Sequence, residues 1–482
     1  MGADGFIFSG QREAIRHGEL PQPTPDPDMA ERAALGFAQA FPGQSAMSAL
    51  TQPQVHVFRY VAMIAGVWGL IVPGLFVQLL MLVSLGLFGL ILAFRVWLVA
   101  TGCVLALRGT PALAVDVLLP VYTILIALKD EASSAAQLSR AMRGLDYPAD
   151  RLDLKLLIET GDEATRAALL AQAWPEGTEL LVLPPGLPRT KPRALNYGLE
   201  RARGTYVVVY DAEDRPAPDQ LRTAARAFAV GSATLACVQA PLIGVPEHGN
   251  WLSRQWALEY AIQFGRVLPA LAHYGLPIAL GGTSNHFKRT KLVEVGGWDA
   301  WNVTEDADLG LRLARHGASV GVIAPPTLEA PPQRAGVWLA QRSRWLKGFL
   351  QTWLVLMRTP FSASREMGLG GFLSMQLTLG AAILSALVHG PWALWCLVCV
   401  IMPGLHLGTL GTCLMLVSYI MGIATGLAAP RRDGAGAIAA ALTSPFYWPL
   451  QSIAMGRALY GLWHQPHFWA KTPHDAPAAF SA

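Results

Sequence analysis

The stretch VVVYDAED, residues 207–214, is an apolar run of strand-forming residues that ends in three acidic side chains. Similar short runs rich in Val, Ile and Leu recur through the middle of the chain, separated by stretches of helical character. These runs cover residues 121–128, 155–159, 179–184, 205–212 and 234–239. Short strands that are apolar along their whole length are typical of a parallel sheet with helices on both faces. The pattern therefore predicts a doubly wound α/β domain, which binds ligands at the carboxyl ends of its strands.

Three apolar regions outside this domain predict membrane-spanning helices. The chain of 482 residues is 52% hydrophobic and only 15% charged. Residues 60–107 carry one charged side chain, Arg95, whereas residues 367–430 and 434–456 carry none. A helix needs about 20 residues to cross a bilayer, so the three regions have room for about two, three and one helices. The prediction is about six transmembrane helices, two before the α/β domain and four after it.

These regions divide the chain into six parts. They are a polar N-terminal segment (1–56), two transmembrane helices (57–110), the α/β domain (111–335), an amphipathic helix at the membrane surface (336–366), about four transmembrane helices (367–458) and a tail (459–482). Because the N-terminal segment is polar and rich in Pro, no cleavable signal peptide is predicted.

Basic residues next to the apolar regions predict the orientation in the membrane. They are Arg59 and Arg108 beside the first region and Arg334, Arg342, Arg344, Lys347, Arg358 and Arg365 before the second. Such an excess marks the cytoplasmic side, so the α/β domain is predicted to be cytoplasmic. If four helices follow it, the tail is cytoplasmic too, and the loop at residues 431–433 falls on the far side although its two arginines oppose that placement.

Other features of the composition argue against several functions. The net charge is +4 and long basic runs are absent from the sequence, so nucleic acid is not a predicted partner. Cys396 and Cys399 have CxxC spacing without a second pair, which argues against a zinc or redox site. A transporter would need functional charges within its helices, and Arg95 is the only charged residue in the apolar regions.

The acidic residues after the fourth apolar run predict a metal site. Asp211, Glu213 and Asp214 offer carboxylate oxygens, which Mg²⁺ and Mn²⁺ prefer and readily share with a diphosphate. A cation here would neutralise the charge of a departing nucleoside diphosphate. Alternation along a strand puts Asp211 and Glu213 on one side. Both Glu213 and Asp214 stay candidates for the second ligand, because the strand ends at this point.

A second acidic motif, Thr304-Glu305-Asp306, opens a predicted helix. The positive end of a helix stabilises acidic side chains. The motif is not a capping box, because Ala307 stands where the acid of such a box would be. Glu305 and Asp306 are therefore free to act chemically, and a carboxylate here could remove the proton of an acceptor hydroxyl.

The segment Gln341-Arg342-Ser343-Arg344-Trp345 lies on a predicted amphipathic helix over residues 337–357. Arg pairs well with phosphate groups, and Trp presents a flat apolar face to a sugar ring. The same residue types also anchor helices at a membrane surface. The segment by itself therefore leaves both interpretations open.

Together, these motifs resemble family 2 glycosyltransferases, in particular the membrane-embedded branch that contains cellulose synthase, hyaluronan synthase and bacterial exopolysaccharide synthases. The resemblance extends over about residues 121–347 and implies a GT-A fold with DxD, TED and QxxRW motifs. It implies that Asp306 is the catalytic base and that Arg344 faces the diphosphate. Trp345, with Gln341, is implied to lie near the acceptor sugar.

Looser matches to the family imply further site residues. Those near the donor are Lys129, Glu131, Glu159, Asp162, Lys191, Asp211, Lys471 and Thr472, and those near the acceptor are Gly282, Thr283 and Ser284. The metal motif departs from DxD, because alignment on the following Pro gives the second acidic position to Glu213 and leaves Asp214 extra. If Lys471 closes over the donor, the tail must be cytoplasmic.

The resemblance implies an inverting, processive synthase in the inner membrane of a bacterium. It would use a divalent cation, Mg²⁺ or Mn²⁺, and a UDP-sugar, with UDP-glucose preferred, to extend a β-linked glycan through a channel between its helices. Membrane lipid, periplasmic or export proteins and a second copy of the chain are further implied partners. The alternative is transfer of a single sugar to a lipid-linked acceptor, which needs no channel.

Overall fold

The central feature of the computed structural model is a seven-stranded sheet. The structure describes residues 20–109, 118–246, 249–402, 408–430 and 434–469. The strands are β1 (Tyr122–Leu128), β2 (Leu152–Glu159), β3 (Thr178–Leu183), β4 (Tyr206–Tyr210), β5 (Arg215–Pro216), β6 (Leu235–Gln239), β7 (Leu242–Gly244), β8 (Asn285–Lys288), β9 (Ser319–Val322) and β10 (Thr327–Glu329). The large sheet has the order β3-β2-β1-β4-β8-β6-β9, and β5, β10 and β7 form a small second sheet.

Helices cover both faces of the large sheet and extend beyond it. They are α1 (Pro27–Ala40), α2 (Gln52–Ile71), α3 (Pro73–Arg108), α4 (Ala135–Arg143), α5 (Glu163–Leu170), α6 (Lys191–Glu200), α7 (Gln220–Val230), α8 (Trp251–Ile262), α9 (Leu268–His273), α10 (Arg289–Glu294), α11 (Glu305–Arg315), α12 (Ala335–Leu356), α13 (Pro360–Met375), α14 (Ala381–Ile401), α15 (Gly408–Leu427) and α16 (Gly434–His464). Ile124 and Ile126 of β1 pack into one core and Leu125 into the other. Burial on both faces explains the continuously apolar strands and confirms the predicted α/β class.

One strand of the large sheet runs against the predicted parallel arrangement. β8 pairs antiparallel with both β4 and β6. Its sequence, Asn-His-Phe-Lys, lacks the apolar run that marks the other strands. His286 is nevertheless fully buried. Both ring nitrogens have a hydrogen-bond partner there, since they lie 2.7 Å from the Tyr122 hydroxyl and 3.1 Å from Gln220 Oε1. Burial lowers the pKa of His286 to about 3, so the strand carries a neutral imidazole into the core.

Within the described residues, fewer helices than the predicted six are long and apolar enough to cross a membrane. Three qualify, Gln52–Ile71, Pro73–Arg108 and Pro360–Ile401, and Gly411–Leu427 is a shorter apolar helix. In the apolar region at residues 367–430, where three crossings were predicted, α13 and α14 join into one candidate span, Pro360–Ile401, and α15 follows it. The first residues of this region pack on the α/β domain, since Gly371 approaches Pro277. The start of this apolar region therefore contacts protein and not lipid.

The last helix, α16, contacts the α/β domain through α8 and also packs on α12, α14 and α15, although a crossing was predicted at residues 434–456. Near its start Gln255 Nε2 donates to Ala440 O (2.7 Å), and in its middle the Tyr447 hydroxyl donates to Glu259 (2.9 Å). Beyond its end, Lys347 Nζ donates to Gln465 O (3.1 Å). An apolar pattern does not distinguish a lipid-facing surface from one that faces protein, which explains the difference.

The chain before α16 also lies beside the α/β domain. Arg266 Nε donates to Ala428 O (2.9 Å), and the ring of Pro430 packs against Gly265. Residues 431–433 lie outside the described residues, but the segments on both sides of them contact the α/β domain. The loop that was predicted on the far side of the membrane therefore begins and ends next to this domain.

Candidate active site

A single cavity of about 620 Å³ begins at the carboxyl ends of the strands and continues between the helices. Its charged lining residues on the strand side are Lys129, Glu131, Glu159, Arg189, Lys191, Asp211, Glu213, Glu305, Asp306, Glu329 and Arg344. Its far end is lined by α3 and α14, which contribute Phe88, Leu92 and Ala382. The ligand site predicted from the strand ends thus opens directly into the helical part of the molecule.

Lys191 connects two of the predicted motifs at the bottom of this cavity. It is the first residue of α6, and its Nζ donates to the Asp211 carboxylate and to Gly282 O (2.7 Å). Burial opposes the ammonium charge, but the nearby carboxylates of Asp211 and Glu305 outweigh burial and raise the pKa of Lys191. A permanent positive charge therefore lies between the metal motif and the acids of α11.

Glu305 and Asp306 begin α11 and face the cavity. Burial, reinforced by Asp306, raises the pKa of Glu305 to about 7. Burial also raises the pKa of Asp306, although the Ala307 N–H and the positive charges of Lys191 and Arg344 oppose the shift. A carboxylate with a raised pKa is a stronger base than an ordinary Asp, which suits removal of a hydroxyl proton.

The long helix α12 holds this acidic motif in position. Gln351 Oε1 accepts from Val303 N (3.2 Å), and Asn302 Nδ2 donates to Thr352 Oγ1 (2.9 Å). Gly348 lies directly against Thr304. The QRSRW segment ends at Trp345, within two turns of these contacts on the same helix, so its distance from Asp306 is set by the α12 interface.

The three acids of the metal motif take different positions. Asp211 and Glu213 line the cavity, whereas Asp214 is fully buried behind it. Asp214 Oδ2 accepts from Asp211 N (2.7 Å) and from the Thr283 hydroxyl. The geometry therefore favours Glu213 as the second ligand and gives Asp214 a supporting role. Two carboxylates on one wall fit a hard cation that shares its remaining positions with a diphosphate.

These two acids do not form a complete metal cage by themselves. In the described part of the chain, no group of three or more His, Cys, Asp or Glu side chains could hold a metal ion. A partial site is what a cation shared with a nucleotide requires, because phosphate oxygens supply the missing ligands.

Three of the predicted acceptor residues, Gly282, Thr283 and Ser284, directly precede β8, and the first two of them line the cavity. A Cβ at Gly282 would lie 3.2 Å from Asp306 Oδ2, so the glycine keeps space next to the acid. Thr283 also lines the cavity. Ser284 does not, because its positive φ of 56° turns the side chain behind the sheet, where its hydroxyl lies 2.6 Å from that of Thr327. The prediction that Ser284 faces the acceptor is wrong.

The QRSRW segment brings three predicted residues to the cavity. Gln341, Arg344 and Trp345 all line it. Gln341 Oε1 accepts from Trp256 Nε1 (2.9 Å), which fixes the amide orientation. Arg344 lies below the Trp469 ring, with 5.4 Å between its guanidinium carbon and the ring centroid, and its Nε is buried without a partner in the described residues. A buried free donor next to the cavity is suited to an anionic ligand.

The predicted donor residues at the ends of β1 and β2 separate into two groups. Lys129, Glu131 and Glu159 line the cavity. Burial raises the pKa of Glu159, which pairs with Arg193 (3.3 Å). Asp162 does not line the cavity, because it caps α5 by accepting from Thr165 N (3.2 Å) and also accepts from Asp130 N. Asp162 therefore stabilises the start of α5 and does not reach the donor site as predicted.

The chain after α16 returns to the site and covers Arg344. Lys347 Nζ donates to Phe468 O (2.8 Å), and Gln351 Nε2 donates to Pro466 O (3.0 Å). Trp469 then lines the cavity. Lys471 and Thr472 lie outside the described residues, but the segment that leads to them is held against α12.

Several cavity residues were not predicted from the sequence. Glu329 ends the three-residue strand β10, and Arg189 and Glu259 lie in segments without a recognisable motif. Arg95 did carry a signal, because it is the only charge in residues 60–107, but that signal indicated no role. These residues reach the cavity through long-range packing, which a local pattern does not encode.

Comparisons with known proteins agree with this geometry. Residues 206–429 match the family model described as glycosyl transferase family group 2. The beta-monoglucosyldiacylglycerol synthase of a Synechocystis species is 28% identical over 280 residues, which is 57% of this chain and 58% of that protein. The cellulose synthase 1 catalytic subunit of Komagataeibacter xylinus is 23% identical over 50% of this chain and 31% of that protein.

A solved structure has the same fold. A mannosyltransferase from Pyrobaculum calidifontis, in complex with GDP-Man and Mn²⁺, superposes with a TM-score of 0.52 over 80% of this chain and 98% of that one, at 20% identity. The chain spans 50–58% of the length of the three beta-monoglucosyldiacylglycerol synthases that it matches. The predicted resemblance to family 2 glycosyltransferases is confirmed, because residues 206–429 match this family's model and the relatives include glycosyltransferases.

Proposed function

We propose that this chain is an inverting, membrane-embedded glycosyltransferase that moves one sugar from a nucleotide-sugar donor to a hydroxyl of a membrane lipid. The observation that carries the proposal is the continuous cavity. Its far end has an apolar wall formed by α3, α14 and the helical turn before α14, including Phe88, Leu92 and Leu379, and it also has polar side chains that include Ser385, Ser418 and Gln451. The apolar wall suits an acyl chain, and a lipid glucosyltransferase is among the relatives.

The chemistry follows from the residues around Asp306. Its carboxylate removes the proton of the acceptor hydroxyl while that oxygen attacks the anomeric carbon of the donor. The bond from this carbon to the diphosphate oxygen breaks, and its electron pair leaves with the nucleoside diphosphate. Attack from the opposite face inverts the configuration, so an α-linked donor yields a β-linked product.

Positive groups in the cavity support departure of the diphosphate. Lys191 and the free donor of Arg344 supply positive charge at fixed positions. Asp211 and Glu213 would hold Mg²⁺ or Mn²⁺, whose charge stabilises the leaving group when the ion is bound. We assign the nucleoside end of the donor to the ends of β1 and β2, near Lys129 and Glu159, with UDP-glucose as the preferred donor.

We propose four membrane crossings, by α2, α3, α14 and α15, with the α/β domain in the cytoplasm of a bacterial cell. Two contacts support this count. Gln54 Nε2 at the start of α2 donates to Leu354 O (2.7 Å), and Gly102 near the end of α3 packs on the Arg266 backbone. One end of this helix pair thus meets α12, which packs on the α/β domain, and the other end meets the α/β domain itself. The second pair, α14 and α15, likewise begins and ends beside it, so the basic flanks and the tail all face the cytoplasm.

Processive synthesis of a β-glucan is the second candidate. It is favoured by Gln341, Arg344 and Trp345, which line the cavity together as the resemblance to polysaccharide synthases implies. In this case the cavity would be the entrance of a channel for the growing chain. Export partners and a homo-oligomer belong to this candidate.

The test is product analysis with purified protein, radiolabelled UDP-sugars, Mn²⁺ and membrane lipid. We expect one labelled sugar per lipid and release of stoichiometric UDP. Asp306→Asn should lower kcat by about 10²–10⁴-fold. Asp219→Asn is the matched control, because this exposed acid precedes α7 and caps nothing with its side chain. A polymer as the main product would favour the second candidate, and full turnover of Asp306→Asn would exclude it as the base.

A further inference from the structure

Arg95 lies on α3 at the level where this helix leaves the α/β domain. It is the only charged residue in residues 60–107. Leu98 and Val99, one turn further on, are buried in the core that α3 shares with the α/β domain. A charge in an apolar segment is costly and is usually kept for a partner. The position next to the α/β domain corresponds to the headgroup layer in the proposed topology.

The Arg95 side chain opens into the cavity that contains Asp306. Within the described residues its guanidinium makes no hydrogen bond or ion pair, and Glu259 is the charged group close enough to act on it electrostatically. Five N–H donors therefore point into a cavity without a fixed acceptor.

Glu259 is already engaged by other groups. Arg342 donates to its carboxylate, and the hydroxyl of Tyr447 (2.9 Å) and Nε2 of Gln451 (3.3 Å) do the same. Two guanidiniums, those of Arg95 and Arg342, thus share one carboxylate. Beside Glu259 the two guanidiniums therefore exceed the carboxylate by one positive charge, which a ligand with a single negative charge would balance.

We infer that the acceptor lipid carries a phosphate next to its reacting group and that Arg95 binds this phosphate. The inference rests on the proposed function and names its acceptor class. The planar fork of Arg matches a phosphate bidentately, and a phosphodiester has the single negative charge that would balance the second guanidinium beside Glu259. The headgroup layer is also where membrane lipids carry their phosphates.

Two kinds of lipid share this chemistry. In a glycerophospholipid such as phosphatidylglycerol, a headgroup hydroxyl gives its proton to Asp306 and its oxygen bonds to the sugar, while the nucleoside diphosphate leaves. In a polyprenyl phosphate, a phosphate oxygen attacks directly and no base is needed. The presence of Asp306 next to the cavity favours the glycerophospholipid.

The experiment compares acceptors in micelles of a phosphate-free, non-ionic detergent. Phosphatidylglycerol, dioleoylglycerol and undecaprenyl phosphate are offered separately to wild type, Arg95→Gln, Arg95→Lys and Arg108→Gln. Arg108 is the matched control, because it is the other arginine of α3, is exposed and does not line the cavity. The readouts are KM and kcat for each lipid and KM for the donor.

We expect wild type to prefer phosphatidylglycerol to dioleoylglycerol. Arg95→Gln should raise KM for phosphatidylglycerol about 10- to 100-fold, the loss typical of a hydrogen-bonded charge. Arg95→Lys should recover part of it, and the donor KM and Arg108→Gln should match wild type. If undecaprenyl phosphate is the preferred lipid, with product sugar released by mild acid, the phosphate site stands and the hydroxyl acceptor is replaced.

Two results would separate the failure of this inference from that of the proposed function. Equal use of dioleoylglycerol and phosphatidylglycerol, with both unaffected by Arg95→Gln, would overturn the phosphate site and leave lipid glycosylation intact. Consumption of donor without labelling of any lipid would overturn the proposed function and the inference together.

Discussion

Substitution of Gly348 by Ala tests whether α12 sets the position of the catalytic acids. The added methyl carbon would lie 2.7 Å from Cβ of Thr304 and 2.5 Å from its Cγ2. Carbon atoms in contact prefer about 3.5–4.0 Å, so α12 and the start of α11 must separate by about 1 Å. A shift of this size near the reacting groups costs about 100-fold in rate. Overpacking should cost about 1–3 kcal/mol of stability, partly offset by about 1 kcal/mol of helix propensity.

The assay is kcat for release of nucleoside diphosphate, measured together with the donor KM and thermal unfolding. Gly336→Ala is the matched control, because it lies on the same helix with nothing within 4 Å of an added Cβ. Addition of Thr304→Ala to Gly348→Ala removes two of the clashing atoms and should recover part of kcat. A Gly348→Ala enzyme with the kcat of wild type would refute the view that this contact positions Asp306.

Three further changes have distinct expected results. Lys191→Met removes a positive charge that lowers the pKa of Asp306, so the pKa of this base rises and the acid limb of the kcat/KM profile moves to higher pH; an unshifted limb would contradict Asp306 as the base. Glu213→Gln should raise the Mn²⁺ concentration for half-maximal activity by at least about tenfold. Asp214→Asn should leave this concentration nearly unchanged, because the amide keeps an oxygen that accepts the same two hydrogen bonds. A larger effect of Asp214→Asn than of Glu213→Gln would make Asp214 the ligand. Lys347→Met removes two hydrogen bonds to the tail, so limited proteolysis should remove the tail at least about tenfold faster than in wild type. An unchanged rate of cleavage would show that Lys347 does not hold the tail.

The strands and the acidic motifs were predictable from the sequence for a local physical reason. A parallel strand buried on both faces must be apolar along its length, so β1 and β4 begin or end within two residues of their predicted bounds. Parallel strands end at a common edge, which is why Asp211 and Glu159 meet in one cavity although they are far apart in the chain. Glu305 and Asp306 were recognisable because they open a helix and are not needed to cap it.

The directions of individual side chains depended on the tertiary structure. Asp214 and Asp211 are three residues apart, yet only Asp211 reaches the cavity, because Thr283 holds Asp214 behind the sheet. Ser284 turns away through its positive φ, and Asp162 is used to cap a helix. Each outcome depends on a turn or a distant partner, neither of which a residue pattern contains.

The same distinction applies to the whole chain. Composition and motif spacing were sufficient to predict a sugar-transfer domain beside apolar helices, because burial and metal chemistry restrict which residue types can occur. Only the tertiary structure decided that α16 packs on α8 of the α/β domain as well as on α14, and that Arg95 faces the cavity of Asp306. An apolar helix has the same pattern against lipid and against protein, so its environment is determined by the contacts it makes.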